Sequence, residues 1–105
     1  MGGTTADVNR GGVAMKPAVT IYYCVGCNWL LRAGWMAQEL LQTLGSDLSG
    51  VTIAPADVPG TYRIVVDGDT IWDRKRDGGF PEAKEIKKRL RDVIAPERDL
   101  GHLDR

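Results

Sequence analysis

The sequence predicts an α/β domain of element order β-α-β-β-β-α, with two helices packed on a four-stranded mixed sheet. Three observations carry that expectation. An apolar, β-branched run ends in Cys24-Val25-Gly26-Cys27 and gives way at once to residues with helical apolar spacing. After that helix a second short apolar run follows a Ser/Asp/Gly turn, the arrangement of a βαβ crossover. Two alternating runs are then joined by Asp67-Gly68, a strong two-residue hairpin signal.

Length and composition bound the reading. At 105 residues the chain is one domain, able to bury a core without staples. It carries 14 basic and 14 acidic side chains with no sustained block of one sign, so no nucleic-acid or anionic-membrane partner is expected. No apolar run approaches the roughly 20 residues of a membrane span, and no secretory signal opens the chain. The expected location is the cytoplasm. Two cysteines do not make a disulfide scaffold, and in a reducing compartment a close Cys-x-x-Cys points to redox chemistry or metal.

Residues 1–16 are rich in glycine without apolar period and read as a flexible leader, with Met15 an alternative start. The domain is expected over 17–95. Ala18 to Tyr23, behind Pro17, reads as a buried strand. From Asn28 to Leu44, the residues Leu30, Ala33, Ala37, Leu40, Leu41 and Leu44 mark one face of a helix that Gly45 ends. Trp29, Trp35 and Met36 fall off the stripe and are read as covering the edge of the core, with a partner or substrate surface as the alternative. Gly50 to Pro55 is the second strand, expected parallel to the first. Thr61 to Val66 and Asp69 to Arg74 form the hairpin; a two-residue turn pairs Val66 with Asp69, Ile64 with Ile71 and Arg63 with Trp72, which would stack Arg63 on Trp72. Arg74 to Gly79 reads as a charged, glycine-rich loop. Pro81 then opens a helix with the stripe Ala83, Ile86, Leu90, Val93 and Ile94, acidic residues early and basic residues late. Pro96 stops it, and residues 96–105 read as a tail. The assembled order is that of a reduced thioredoxin-like domain, with the dithiol at the carboxyl end of a strand.

Two residues between cysteines in a first helical turn set their Cα atoms about 5 Å apart, within the span a disulfide accepts. A loop entering a helix also surrounds a thiol with unpaired N–H groups and the positive end of the helix dipole, both favouring thiolate. Lowering a cysteine pKa from about 8.5 to about 7 raises the thiolate fraction roughly 15-fold, but lost nucleophilicity leaves a net gain of only about threefold. A resolving partner already in place is the larger effect. The competing readings are metal and structure. A zinc site needs four ligands, and one pair plus a lone His102 does not supply them. Two chains could pool four cysteines around a metal or cluster. A buried structural pair is the remaining alternative, against which Gly26 and the strand-to-helix position argue. No cofactor-binding motif or other catalytic constellation is visible. Pro59 precedes the third strand, where a cis proline could face the dithiol, although trans is the default for such a bond.

The chain resembles selenoprotein W-like proteins of the Rdx family, in a cysteine-containing form, over about Val19 to Asp92. The residues that carry the resemblance are Tyr22-Tyr23-Cys24-Val25-Gly26-Cys27-Asn28-Trp29 with Arg32-Ala33, Val66-Asp67-Gly68 with Ile71-Trp72-Asp73-Arg74-Lys75, and Gly79-Phe80-Pro81-Glu82. The resemblance implies a thioredoxin-like fold and a thiol or selenol oxidoreductase role, with glutathione as a co-substrate. The family's selenocysteine aligns with Cys27, whereas the general thioredoxin-like arrangement favours attack by Cys24, exposed at the helix entry; both stay open. Where the family often has Gly-x-Phe-Glu-Val, this chain has Gly60-Thr61-Tyr62-Arg63-Ile64, reversing a charge. Phe80, in the Gly-Phe-Pro stretch, either covers the dithiol or is a core residue at a helix start. The expected function is thiol–disulfide oxidoreductase through Cys24 and Cys27, lined by Val25, Gly26, Trp29, Pro59 and Phe80, with a protein disulfide or thiol as partner. The alternative is a redox-sensing interaction module without turnover, using Trp29, Trp35 and Trp72 as contact surface.

Overall fold

The computed structural model describes residues 16–94. The leader at residues 1–15, the tail from residue 95 onward and His102 lie outside the described residues. Strand β1 (Ala18–Tyr23) is central: β2 (Gly50–Pro55) pairs with it in parallel and β3 (Tyr62–Val66) antiparallel, while β4 (Asp69–Asp73) closes the order β2-β1-β3-β4. Helix α1 (Leu30–Leu44) makes the crossover, α2 (Arg74–Asp77) is a single turn after β4, and α3 (Ala83–Ile94) ends the described chain. The expected four-stranded mixed sheet, with its parallel β1–β2 pair and β3–β4 hairpin, is found; the strand order and the antiparallel β1–β3 pairing are added by the structure.

One face of the sheet makes the core. Val19 and Ile21 of β1 alternate inward with Tyr62, Ile64 and Val66 of β3, and meet Ala33, Met36, Ala37, Leu40 and Leu44 of α1 and Ile86 and Leu90 of α3. Both helices therefore share that face, and a Lys87–Glu39 ion pair at 3.0 Å joins them. Thr20, Tyr22, Arg63 and Val65 lie half-buried on the other face, where Arg63 stands over the Tyr22 ring at 5.2 Å.

Several local expectations are corrected. The buried stripe of α1 excludes Leu30 and Leu41, 51 % and 43 % exposed, while Met36, read as covering the core edge, lies fully inside it at 1 % exposed. Met36 fits one edge of the apolar stripe as well as Leu30 and Leu41 fit the other, and the position of the sheet selects the Met36 edge. Gly45 keeps right-handed dihedrals, so the helix runs into a 3₁₀ turn, Gly45–Asp47, rather than stopping in a left-handed cap. In the hairpin, Val66 pairs with Asp69 as expected, but a bulge after Val65–Thr70 sets Ile64 opposite Trp72 and Arg63 opposite Asp73. The extra residue is Ile71, which lets Ile71 and Trp72 both pack on the core. Trp72 is consequently covered by Arg89, 4.9 Å from its ring, not by Arg63.

The segment read as a loop at Arg74 to Gly79 contains α2. The Asp73 carboxylate accepts from the Lys75 N–H at 3.0 Å, and Gly78 at φ 86° closes the turn with its N–H on the Arg74 carbonyl. Both signals were in the sequence, but one turn is too short to show an apolar period. In α3, Val93 is 45 % exposed and drops off the predicted stripe, while Ile86 and Leu90 are buried. No helix among the described residues is long and apolar enough to cross a membrane.

The corrected stripe is testable by urea unfolding. Met36→Ala is expected to cost about 2–5 kcal/mol, since it empties a buried site, and Leu41→Ala under about 1 kcal/mol. Equal losses would return Leu41 to the core.

Candidate functional site

The central strand delivers the cysteines. Past Tyr23, whose carbonyl is taken by the Ala56 N–H at 2.8 Å, the chain folds into a tight turn. Asn28 donates to the Val25 carbonyl at 3.0 Å, and Trp29 donates to the Cys24 carbonyl at 3.4 Å. Asn28 takes φ 64°, a left-handed conformation that asparagine tolerates better than most residues. Cys24 and Cys27 are joined by a disulfide with Cα atoms 5.3 Å apart. The spacing and the place between strand and helix match expectation, but the pair has its own turn rather than a first helical turn, and Asn28 and Trp29 separate it from the first residue of α1.

The two sulfurs are not equivalent. Cys24 is 4 % exposed, which overturns the expectation of an exposed first cysteine, whereas Cys27 is half-exposed between the exposed Gly26 and Asn28. Cys24 is covered because it continues the central strand directly off the sheet. Trp29 caps α1 without a side-chain hydrogen bond, and no acidic residue stands in the first turn. The free N–H groups there favour negative charge nearby.

Behind the turn stands an aromatic cluster. Phe80 meets Trp29 edge-on at 4.8 Å and Tyr62 at 5.2 Å. Its ring is covered by the Arg32 guanidinium at 3.9 Å, while Arg74 stands over Trp29 at 5.0 Å and donates from Nε to the Gly60 carbonyl at 3.1 Å. Trp72 Nε1 donates to the Gly79 carbonyl at 2.9 Å, fixing the loop that presents Phe80. Tyr62 is 1 % exposed and its hydroxyl donates to the Arg32 carbonyl at 3.4 Å. Burial pushes the Tyr62 phenol up to about 12, against a smaller lowering by the Arg32 charge. An open groove of about 420 Å³ is lined by Tyr23, Val25, Asn28, Leu30 and Leu31.

Of the residues named from sequence, Val25 and Gly26 lie in the dithiol turn, Trp29 closes it, and Phe80 packs on Trp29. Pro59 is exposed with a trans peptide bond, and it is the neighbouring Gly60 that joins the cluster, through Arg74. Of the three tryptophans only Trp35, 50 % exposed, offers an open face; Trp29 is half-buried against Phe80 and Trp72 is half-buried under Arg89. Sequence reasoning missed Arg32, Arg74 and Tyr62. An arginine in a first helical turn runs against the dipole and could have drawn attention to Arg32; Arg74 carries no local signal for its contact with Trp29. Among the described residues no three His, Cys, Asp or Glu side chains gather as a metal would need.

Fold and site together define a thioredoxin-like domain with its Cys-x-x-Cys at the carboxyl end of the central strand. The Rdx family model matches residues 18–92, and the chain belongs to that family. Its fold is similar to that of a Bordetella parapertussis protein, at 53 % identity over 75 % of this chain and 99 % of the other, with a TM-score of 0.73. It is likewise similar to a selenoprotein W-related protein from Vibrio cholerae, at 48 % identity, covering 75 % of this chain and 98 % of that one, with a TM-score of 0.72. A search of curated proteins gave no match.

The raised Tyr62 pKa sets a pH dependence. The stability it contributes is fully present below the unfolded value near 10 and is lost as pH rises toward about 12, because the unfolded chain releases that proton first. Urea midpoints measured from pH 9 to 11.5 are expected to fall less steeply in Tyr62→Phe than in the wild type.

Proposed function

We propose that this Rdx-family protein is a thiol–disulfide oxidoreductase of the cytoplasm that works through Cys24 and Cys27. The observation that carries the reading is the pairing of one covered and one accessible sulfur in a disulfide on a rigid strand end. In the reduced protein, the Cys27 thiolate attacks one sulfur of a target disulfide, and the target's other sulfur leaves as a thiolate and takes a proton. Cys24, already within bonding range, attacks the Cys27 sulfur of the mixed disulfide, and the target departs as a second thiol. Two electrons and two protons pass to the target and the Cys24–Cys27 bond closes. A small thiol of the glutathione class then reopens it by attack on the accessible Cys27 sulfur, releasing Cys24 as a thiol. A second small thiol attacks its own kind's sulfur in the resulting mixed disulfide, releasing Cys27 as a thiol and the small disulfide as the oxidised product.

The roles follow from access. An external thiol or disulfide reaches Cys27, while Cys24 resolves from the covered side; this agrees with the family pattern that aligns selenocysteine with Cys27. Geometry supplies more than pKa does, because nucleophilicity falls as the thiolate fraction rises.

Equilibration with a glutathione redox series, followed by thiol trapping, tests the reading. A midpoint between about −270 and −180 mV is expected for an exchanging pair; one below about −300 mV would mark a structural bridge and overturn the proposal. Cys24→Ser is expected to accumulate a mixed disulfide on Cys27, and Cys27→Ser to react at least tenfold more slowly with a small disulfide. The reverse pattern would exchange the two roles.

A further inference from the structure

Two guanidinium groups packed on the aromatic pair that follows the dithiol turn have no role in the exchange chemistry. Arg32 lies exposed over Phe80 at 3.9 Å, and Arg74 stands 5.0 Å from the Trp29 ring and 5.9 Å from the Phe80 ring. The two cations thus flank one aromatic pair, whose Trp29 lies two residues past Cys27 and donates its N–H to Cys24. Neither meets a carboxylate within ion-pair distance among the described residues, although three other basic side chains do. The acids nearest to Arg74 in sequence are committed elsewhere: Asp73 caps the α2 backbone, and Asp77 takes the Asp73 N–H and Arg76. Lys75 adds a third positive charge on the same rim, its Nζ and the Arg74 guanidinium both approaching Gly60.

Cations left without acids usually spread over a solvated surface. Here each guanidinium stands over an aromatic ring, a contact that lowers the entropy cost of ordering a long side chain around a ligand. Arg74 uses Nε on Gly60, which leaves its outer N–H edge for an incoming group. The groove lined by Tyr23, Val25, Asn28, Leu30 and Leu31 contains no charged residue, so Arg32 and Arg74 supply charge that its lining does not.

Resting on the oxidoreductase reading, we infer that Arg32 and Arg74 form a carboxylate subsite that selects disulfides bearing an acidic group near the S–S bond. The exchange steps are unchanged, since two electrons still pass from the Cys24–Cys27 dithiol to the substrate disulfide and both substrate sulfurs leave as thiols. The guanidiniums bind the substrate carboxylate, and their contribution is to specificity.

The test uses three small symmetric disulfides as probes: dithiodipropionate (anionic), hydroxyethyl disulfide (neutral) and cystamine (cationic). Stopped-flow oxidation of the reduced full-length protein gives a rate constant for each. Comparing the anionic-to-neutral ratio between wild type and variants cancels the leaving thiol's chemistry and any change in Cys27 reactivity. We expect Arg32→Gln and Arg74→Gln each to lower that ratio about three- to tenfold, with the cationic-to-neutral ratio rising. Lys88→Gln, which removes a charge from the exposed side of α3, should move neither ratio. For wild type alone, raising salt from about 0.05 to 0.5 M should shrink the anionic preference, which keeps the test decisive if a variant folds poorly. Ratios within twofold of wild type in both folded variants, or a wild-type ratio insensitive to salt, would overturn the subsite while leaving the oxidoreductase reading standing. Failure of reduced protein to react with any of the three probes would overturn both.

Discussion

Phe80 is the contact on which the candidate site depends. Its ring is wedged between Trp29 and Tyr62 and roofed by Arg32, so it joins the entry to α1, the start of β3 and the loop before α3. Each aromatic contact contributes about 0.5–1.5 kcal/mol beyond area burial. The left-handed Asn28 between the disulfide and α1 costs on the order of 1 kcal/mol. Two such ring contacts are enough to offset it, so the dithiol turn is fixed from behind and does not rely on its own backbone preferences.

The same wedge couples elements far apart in the chain. The β4 bulge brings Trp72 inward, Trp72 binds the Gly79 carbonyl, and Gly79 presents Phe80 to Trp29. Arg89 closes the other side of Trp72 and reaches the Ile71 carbonyl, tying α3 to the bulge. A register without the bulge would carry Trp72 to the opposite face of the sheet and remove the anchor for the Phe80 loop.

Asymmetry between the cysteines follows from where the strand ends. Cys24 leaves the central strand of the sheet and is covered, whereas Cys27 comes after a two-residue excursion and reaches the surface. A pair in the first turn of a helix would take its access from the helix axis; a pair in a separate turn takes it from the strand. The groove at this turn is lined without charge, whereas the two guanidiniums stand over Phe80 and Trp29.

The sequence by itself determined the order of the four strands and two long helices, the parallel β1–β2 pair, the β3–β4 hairpin, the position of the Cys-x-x-Cys and the family resemblance. Those features rest on local signals: apolar period, Asp67-Gly68, Pro81 and a fixed cysteine spacing. Only the tertiary structure decided which edge of α1 is buried, that a bulge at Ile71 shifts the hairpin, that Asp73 caps a turn at Arg74, and that Cys24 rather than Cys27 is covered. Each of these depends on where a distant surface lies. Met36 and Leu41 are equally apolar, and only the placement of the sheet separates them. Arg32, Arg74, Tyr62 and Phe80 carry no shared spacing, so their convergence beside the dithiol could not be read along the chain.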